Sequence, residues 1–314
     1  MIWTRVTPPF QSEWATDLDT YNSTELTALK TQYDTISVDW AISTAMDSID
    51  FDCTDSVHCG AADTSSDIDY TLKVVVDGLA SNTWYYYQFR VGNVTSDIGR
   101  TRTIPTSSEA IESWKFAFGS CKQYAHGYFT NLGDIAAKDD LDMMLWLGDY
   151  IYEFPNDALV NGTGIDHIPY PPVFLYELEH YRGRYLQHHL DENVQAAHKQ
   201  LPWFIMWDDH EVVNDYWKDG APSRWQNTDL FGVDFLTRKA NGYQAFFEWL
   251  PVRSIDIDTN GGLHRSYSFG NLFDLIMIDG RSQRTAEAEN TTYGASLSVD
   301  EHYIWGETQR TWIL

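Results

Sequence analysis

The sequence predicts an α+β fold in two domains, an all-β domain at residues 1–108 and a domain of sheets layered with helices at residues 109–314. Three observations support this prediction. Short alternating strands separated by turns fill the first hundred residues. A polar stretch with Pro and Ser interrupts them at residues 104–113. From Trp114 onward, short apolar strands alternate with helical segments.

The first domain contains three clear strand patterns. Apolar and polar residues alternate along Ile36–Ile42 and Asp69–Val76, as expected for strands with one buried face. A third strand, Trp84–Val91, precedes a Gly-Asn turn. A spacing typical of a fibronectin type III or immunoglobulin-like β-sandwich is carried by Leu79, Tyr85 and Tyr87. The composition indicates a structural module with no catalytic centre.

The helical segments of the second domain follow a 3.6-residue period. Apolar residues recur at helical spacing from Phe129 to Ala136, and an apolar stripe runs from Leu175 to Leu190 with its two arginines outside it. A further helix from Phe235 to Leu250 ends before a proline. The histidines are expected on solvated helices at positions His188, His189 and His198.

The formal net charge of the chain is −25. A surface this acidic repels nucleic acid and anionic lipid, so we expect no nucleic-acid binding. It also repels a phosphate ester unless bound cations supply a local positive field. Apolar runs such as Met143–Leu147 are too short to span a bilayer, so no transmembrane segment is expected. We expect a monomer.

Four glycosylation sequons and a pair of cysteines indicate a secreted or cell-surface glycoprotein. The sequons begin at Asn22, Asn93, Asn161 and Asn290. Cys53 and Cys59 lie in a turn-rich stretch, where they could close a small disulfide loop. Cys121 is then left over, and a spare cysteine is more often a buried apolar residue than a ligand.

Four predicted strands of the second domain end at polar side chains. They are near-continuous apolar runs, as expected for strands buried on both faces. Their bounds are Lys115–Ser120, Leu141–Gly148, Leu201–Trp207 and Phe273–Ile278. They end, in chain order, at Cys121, Asp149, Asp208-Asp209-His210-Glu211 and Asp279-Gly280-Arg281. Because ligand sites form at the carboxyl ends of such strands, we expect these groups to converge on one edge.

The predicted cluster indicates bound cations. Carboxylates brought together without counter-charges repel one another at a cost on the order of several kcal/mol. Carboxylate oxygens suit hard cations such as Ca²⁺, Mg²⁺ or Fe³⁺, whereas a thiolate suits a transition metal. The mixed set therefore predicts more than one metal, an arrangement that supports in-line phosphoryl displacement. A lone Asp after a strand is more often a turn former or a helix cap, so the prediction depends on four such ends in one domain.

At these strand ends the sequence resembles the alkaline phosphatase D (PhoD-like) family of metallophosphatases. The first domain, with its Trp3–Val6 and Leu79–Phe89 segments, is similar to the N-terminal domain of that family. The motifs that carry the resemblance span most of the second domain: Phe118–Tyr124, Gly127–Phe129, Trp146–Glu153, Trp207–Val212 with Asn214 and Asp215, Tyr267–Leu272, Asp279–Arg281 and Gly306–Leu314. The fold that it implies for the second domain is an α/β/β/α metallophosphatase sandwich.

The resemblance implies secreted phosphomonoesterase and phosphodiesterase activity, by a metal-activated hydroxide in a site that holds Fe³⁺ and Ca²⁺. The implied substrates are small-molecule or lipid phosphate esters. Cys121 would be a thiolate ligand of iron, Tyr124 a phenolate ligand, and Asp149 a bridge between metals. The His210 region or a bound water would assist the leaving group, and Arg281 would bind a phosphate oxygen. Calcium ligation or phosphate contacts would come from Asp208, Asp209, His210 and Asn214.

Two departures from the family pattern bear on these expectations. Gly280 stands where the family is expected to have Thr. The family also continues beyond the Gly306–Leu314 segment with further Asp and His ligands. We therefore expect a chain truncated at both ends, without its leader and without its last catalytic ligands, so that the metallophosphatase sandwich is incomplete.

Two other hypotheses remain open from the sequence alone. One is that the chain is a catalytically incomplete fragment that acts only as a binding or structural module. The other is a carbohydrate-active enzyme, which would fit the richness in Trp and Asp. It would not explain the thiol of Cys121 or the surroundings of His210.

Overall fold

The strands and helices of the protein form a mixed α/β architecture with several sheets. The computed structural model describes residues 1–7, 33–56, 58–155, 167–225, 232–253, 261–286 and 302–314. These residues divide into two compact units. One unit comprises Met1–Ile104 with Glu248–Pro251, and the other comprises Pro105–Phe247 with Val252–Leu314.

The first unit is built from antiparallel strands. A two-stranded sheet pairs β1 with β4, and a larger sheet has the order β3-β2-β5-β6, with β7 also paired to β5. The strands are β1 (Ile2–Arg5), β2 (Thr35–Ser43), β3 (His58–Ser65), β4 (Thr71–Val74), β5 (Trp84–Val91), β6 (Val94–Thr95) and β7 (Gly99–Arg102).

Both sheets of the first unit contribute to one core. Ile2 and Leu72 of the small sheet pack with Val38 and Phe89 of the larger one. Burial of such side chains stabilises each by roughly 1.5–3 kcal/mol. The strands predicted at residues 36–42 and 84–91 are confirmed. The one predicted at residues 69–76 is shorter, because Asp69 and Tyr70 have left-handed φ values of 51° and 56° and the strand begins after them.

Two surface features of the first unit were anticipated by the sequence. Cys53 and Cys59 form a disulfide bond, so the predicted pairing is confirmed. Asn93 is exposed in the turn between β5 and β6. The sequons at Asn22, Asn161 and Asn290 lie outside the described residues. In the described part of the chain, no helix is long and apolar enough to cross a membrane.

The second unit contains a three-stranded parallel sheet and a separate antiparallel hairpin. The parallel sheet has the order β10-β9-β8, and β11 pairs with β12. The strands are β8 (Phe116–Gly119), β9 (Met143–Leu147), β10 (Trp203–Met206), β11 (Arg265–Phe269) and β12 (Phe273–Met277). The helices are α1 (Thr130–Ala136), α2 (Leu178–Leu190), α3 (Glu192–Gln200), α4 (Phe235–Trp249) and α5 (Gly306–Ile313).

The pairing of β12 differs from the expectation of one sheet edge. Three of the four predicted strands are parallel neighbours, whereas β12 runs antiparallel to β11 in its own hairpin. The predicted burial on both faces is confirmed for β9 and β10, and the same prediction is wrong for β8 and β12. Phe118 of β8 is 69% exposed and Ile276 of β12 is 53% exposed.

The burial pattern of α2 also corrects the sequence prediction. Arg182 and Arg184 were placed outside its apolar stripe, yet both are buried, at 7% and 1% exposure. Arg184 is held by hydrogen bonds from its guanidinium to the carbonyl oxygens of Tyr170 and Pro171, each at 2.9 Å. His188 is fully buried rather than solvated, because Lys122 and several aromatic rings pack against it.

Candidate functional site

The centre of the site is formed where β8 and β9 end. The thiol of Cys121 lies 3.3 Å from Oδ2 of Asp149. The two strand ends are joined by backbone hydrogen bonds, from Cys121 N to Gly148 O at 3.2 Å and from Lys122 N to Asp149 O at 3.1 Å. The parallel register of β8 and β9 therefore brings together two side chains that are 28 residues apart in the chain.

The ends of β9 and β10 lie close together at Gly148 and Asp208. This close approach determines the position of the polar loop that follows β10. Gly148 has a φ of +104°, and a Cβ on it would lie 2.5 Å from Cβ of Asp208 and 2.6 Å from its backbone nitrogen. No side chain fits there without moving one strand end. The absence of a side chain at Gly148 therefore lets Asp149 and the loop after β10 share one edge of the sheet.

Three potential metal ligands converge at this edge. Asp149, Asp209 and His210 each offer one ligand atom, and these atoms lie within 4.8 Å of one another. Asp149 and Asp209 are buried, and His210 is half-buried. The sequence placed these three residues in one site, and the structure brings them together.

Tyr152 is the tyrosine that lies against the thiol and carboxylate pair. Its hydroxyl donates a hydrogen bond to Oδ2 of Asp149 at 3.2 Å, and its ring stacks on His210 at a centroid distance of 4.2 Å. Tyr124, which the resemblance favoured as the phenolate ligand, instead packs its ring against Phe129 and His188. Tyr152 therefore lies against the thiol and carboxylate pair, whereas the contacts of Tyr124 are with Phe129 and His188.

Glu211 joins the loops that follow β9 and β10. Its side chain is fully buried and accepts hydrogen bonds from the backbone nitrogens of Asp149 at 3.1 Å, Tyr150 at 2.5 Å and Asp208 at 2.7 Å. A carboxylate that binds three backbone N–H groups holds both loops in one arrangement. Glu211 thereby sets the distance between the polar residues of the two loops.

Glu153 orients the histidine. It is fully buried and accepts hydrogen bonds from Nδ1 of His210 and from the backbone nitrogen of Asn214, both at 2.7 Å. A carboxylate on one ring nitrogen fixes the orientation of an imidazole and leaves its other nitrogen for a ligand. The amide of Asn214 donates to Asp215 at 2.5 Å, and the nitrogen of Asp215 donates to Asp209 at 2.6 Å.

Arg281 closes the site from the hairpin side. Its Nε donates to Asp208 at 2.5 Å, and its terminal nitrogen lies 3.5 Å from Oδ2 of Asp209. The carboxylate of Asp279 accepts the backbone N–H groups of Arg281 and Ser282 and holds the turn that carries Arg281. The hairpin thus reaches the site through Arg281, although β12 is outside the parallel sheet.

The protonation of the site reflects crowded negative charge. Burial raises the pKa of Asp149, and His210 opposes this shift. Burial also raises the pKa of Glu211, to about 8, against the lowering effect of its backbone N–H partners. Burial lowers the pKa of His210, but the hydrogen bond and charge of Glu153 outweigh this effect and raise it to about 9. The raised pKa of Asp149 means that its negative charge is disfavoured in the bare protein, which fits a site that takes up cations.

Sequence reasoning missed the roles of Tyr152, Glu153 and Glu211. All three stand in the polar runs that follow β9 and β10, so a signal was present in the sequence. Their roles depend on which way each side chain turns, and one-dimensional spacing does not give that direction.

Comparisons with known proteins identify the family of this chain. The sequence pattern of the family described as PhoD-like phosphatase matches residues 116–314, and that of the PhoD-like phosphatase N-terminal domain matches residues 1–105. Alkaline phosphatase D of Bacillus subtilis (strain 168) is 36% identical over 251 residues, which cover 78% of this chain and 42% of that protein.

A solved structure titled "Structure of PhoD" superimposes with a TM-score of 0.80 at 30% identity. The superposition covers 99% of this chain and 55% of that one. The chain thus spans about half the length of the relatives that it matches.

Proposed function

The chain belongs to the PhoD-like phosphatase family, and from this premise we propose that it hydrolyses phosphate monoesters or diesters in a cation-dependent site. The observation that carries the proposal is the convergence of Asp149, Asp209 and His210 within 4.8 Å, next to the thiol of Cys121. Hydrolysis by the whole protein is inferred from relatives of which this chain spans about half the length.

The donor set supports two kinds of cation. The thiol of Cys121 and the phenol of Tyr152, with the carboxylate of Asp149 between them, suit Fe³⁺. The oxygens of Asp209 and Asn214 suit Ca²⁺, a hard cation that prefers carboxylate and amide oxygen. Bound cations would polarise phosphoryl oxygens and lower the pKa of a water so that it becomes a nucleophile near neutral pH.

The protein's own side chains would bind the phosphate, protonate the leaving group and hold the ligand-bearing loops in place. Arg281 offers N–H donors beside Asp208 and Asp209, where a phosphoryl oxygen would be held. His210, bound to Glu153 through Nδ1, has one ring nitrogen left at the same edge, and with no cation on that nitrogen it would protonate the leaving alkoxide. Glu211 keeps the two ligand-bearing loops at a fixed separation while charge redistributes.

Finer features of the protein belong to the same proposal. We propose two domains with the boundary at residue 108, an immunoglobulin-like front domain, and part of a metallophosphatase sandwich behind it. The disulfide and the exposed sequon at Asn93 support a secreted or cell-surface glycoprotein. Substrates would be small-molecule or lipid phosphate esters.

The alternative of a purely structural module has less support, because three potential metal ligands are already assembled at one sheet edge.

The experiment is hydrolysis of p-nitrophenyl phosphate and its bis ester by the purified chain, after loading with Fe³⁺ and Ca²⁺ and again after EDTA. We expect activity that EDTA abolishes and that Asp149→Asn lowers by about 100-fold or more. Asp140→Asn is the matched control, because Asp140 lies on an exposed ion pair with Lys115. Activity that is indifferent to EDTA, or a chain that retains neither metal nor activity, would contradict the proposal.

A further inference from the structure

Two candidate ligands share an uncommon backbone conformation. Cys121 has a φ of 60° and Asp149 a φ of 55°, both in the left-handed region that favours glycine. A residue with a side chain costs on the order of 1–3 kcal/mol there, and it stays in that conformation only where the surrounding structure holds it. Glu211 holds the backbone that follows Asp149, but it makes no hydrogen bond to the Cys121 loop among the described contacts.

The residues that directly follow these two ligands are in contact with each other. Lys122 follows Cys121, and Tyr150 follows Asp149. Nζ of Lys122 lies over the ring of Tyr150, 3.2 Å from its centroid. Both side chains are buried, at 6% and 0% exposure. A contact between the two following residues restricts the backbone of both ligands at once.

The amino group of Lys122 is enclosed by further rings. It lies 2.6 Å from Nδ1 of His188, which is fully buried, and 5.1 Å from the ring centroid of Phe129. His188 belongs to α2 and Phe129 directly precedes α1. The side chain of Lys122 thus fixes the Cys121 loop to two helices as well as to the loop after β9.

We propose that Lys122 is a positioning residue, which holds the thiol of Cys121 beside Asp149 through its contacts with Tyr150 and His188 before any cation binds. The inference rests on the proposed function only in that it treats Cys121 and Asp149 as ligands. Residues that orient metal ligands typically change metal affinity by 10–100-fold when they are replaced.

Two readouts test the proposal on the full chain. The first is the rate at which Cys121, whose thiol is free while Cys53 and Cys59 form a disulfide, reacts with a disulfide reagent in cation-free protein. The second is Co²⁺ affinity, followed by the thiolate-to-cobalt absorption band. Lys122→Met keeps an unbranched side chain, one heavy atom shorter, and removes the N–H donors. We expect it to accelerate the thiol reaction severalfold and to weaken Co²⁺ binding by about tenfold.

A second variant and two controls separate positioning from general stability. Tyr150→Leu removes the ring and is expected to act in the same direction, whereas Tyr150→Phe keeps the ring and is expected to preserve the thiol rate. Lys239 is also packed over tyrosine rings, 5.3 Å from the Tyr243 centroid, and donates to Lys218 O at 3.0 Å. Lys239→Met should lower the melting temperature without changing either readout.

The outcomes decide the proposal without reference to ester hydrolysis, so a failure of the proposed function is distinguishable from a failure of this inference. Wild-type values for both Lys122→Met and Tyr150→Leu would overturn it. Equal effects from Lys239→Met would overturn it as well. If the wild-type chain does not bind Co²⁺, the rate of the thiol reaction alone decides whether Lys122 positions Cys121.

Discussion

Glu153 accepts a hydrogen bond of 2.7 Å from Nδ1 of His210, although the two residues are 57 positions apart in the chain. The carboxylate is fully buried, so the interaction takes place away from bulk water, where it is electrostatically stronger. This pair fixes the ring that stacks on Tyr152 and keeps it protonated to about pH 9 in the cation-free protein.

The Glu153–His210 pair predicts how the stability of the cation-free protein depends on pH. The pKa of His210 is raised from an ordinary 6.5 to about 9 in the folded state. Its stabilisation is therefore complete below about pH 6.5 and is lost as the pH rises through 9. In EDTA, we expect the His210 contribution to the free energy of unfolding by urea to fall by an amount on the order of 3 kcal/mol between pH 6 and pH 9.5. The raised pKa of Glu211 adds a fall of the same sign up to about pH 8. Glu153→Gln should remove the His210 contribution, so that the fall above about pH 8 becomes smaller, and an unchanged pH profile in that variant would contradict the prediction.

Replacement of Glu211 should loosen the two loops. Glu211→Gln leaves one oxygen acceptor and places an amide NH₂ near backbone N–H groups that the carboxylate now binds. We expect a loss of about 1–3 kcal/mol in the free energy of unfolding, measured with urea. Glu307→Gln, on an exposed helix face, should stay within about 0.5 kcal/mol of wild type. Equal stability of the two variants would show that Glu211 does not join the loops.

Replacement of Tyr152 and replacement of Tyr124 are expected to have different effects on the absorption spectrum of bound iron. If Tyr152 provides the phenolate, iron-loaded protein should show a visible phenolate-to-iron absorption band that Tyr152→Phe removes. Tyr124→Phe, which alters a ring packed against Phe129 and His188, should leave the band in place. Loss of the band in the Tyr124 variant alone would restore the assignment made from the sequence resemblance.

Arg281 should act on phosphate binding through the geometry of its guanidinium. Arg281→Lys retains the charge but not the planar set of N–H donors that now lies beside Asp208 and Asp209. We expect the inhibition constant of inorganic phosphate to rise by about tenfold, roughly 1.4 kcal/mol. Arg310→Lys, a surface change, serves as the control. A phosphate constant unaltered in Arg281→Lys would exclude a binding role for the guanidinium.

The sequence was informative where chemistry follows a buried apolar run. Cys121, Asp149 and Asp209 were located from strand ends, because parallel strands present their carboxyl ends at one edge. The hairpin pairing of β12 was not predictable in this way, since strand partners are chosen by contacts between distant segments. The contact of Tyr152 with Asp149 was not predictable for a similar reason, because spacing along the chain does not give the direction of a side chain.

The buried polar groups behind the site were the least predictable. Lys122, Arg184 and His188 belong to residue types that are usually solvated, and the helical pattern of α2 predicts Arg184 and His188 on the outside. Their burial is offset by partners from other segments, such as the carbonyl oxygen of Tyr170 for Arg184 and the ring of Tyr150 for Lys122. Such partners become visible only once the chain is folded.

The close approach of Gly148 to Asp208 limits which substitutions position 148 can tolerate. A methyl group at that position would meet Asp208 at 2.5 Å, so even alanine would push apart the two strand ends that bear the ligands. In a saturation library selected for hydrolysis, position 148 should therefore tolerate as little variation as the ligands themselves, although it contributes no chemical group. Intolerance to substitution at position 148 would reflect the required separation of the two strand ends, and not a role of Gly148 in the reaction.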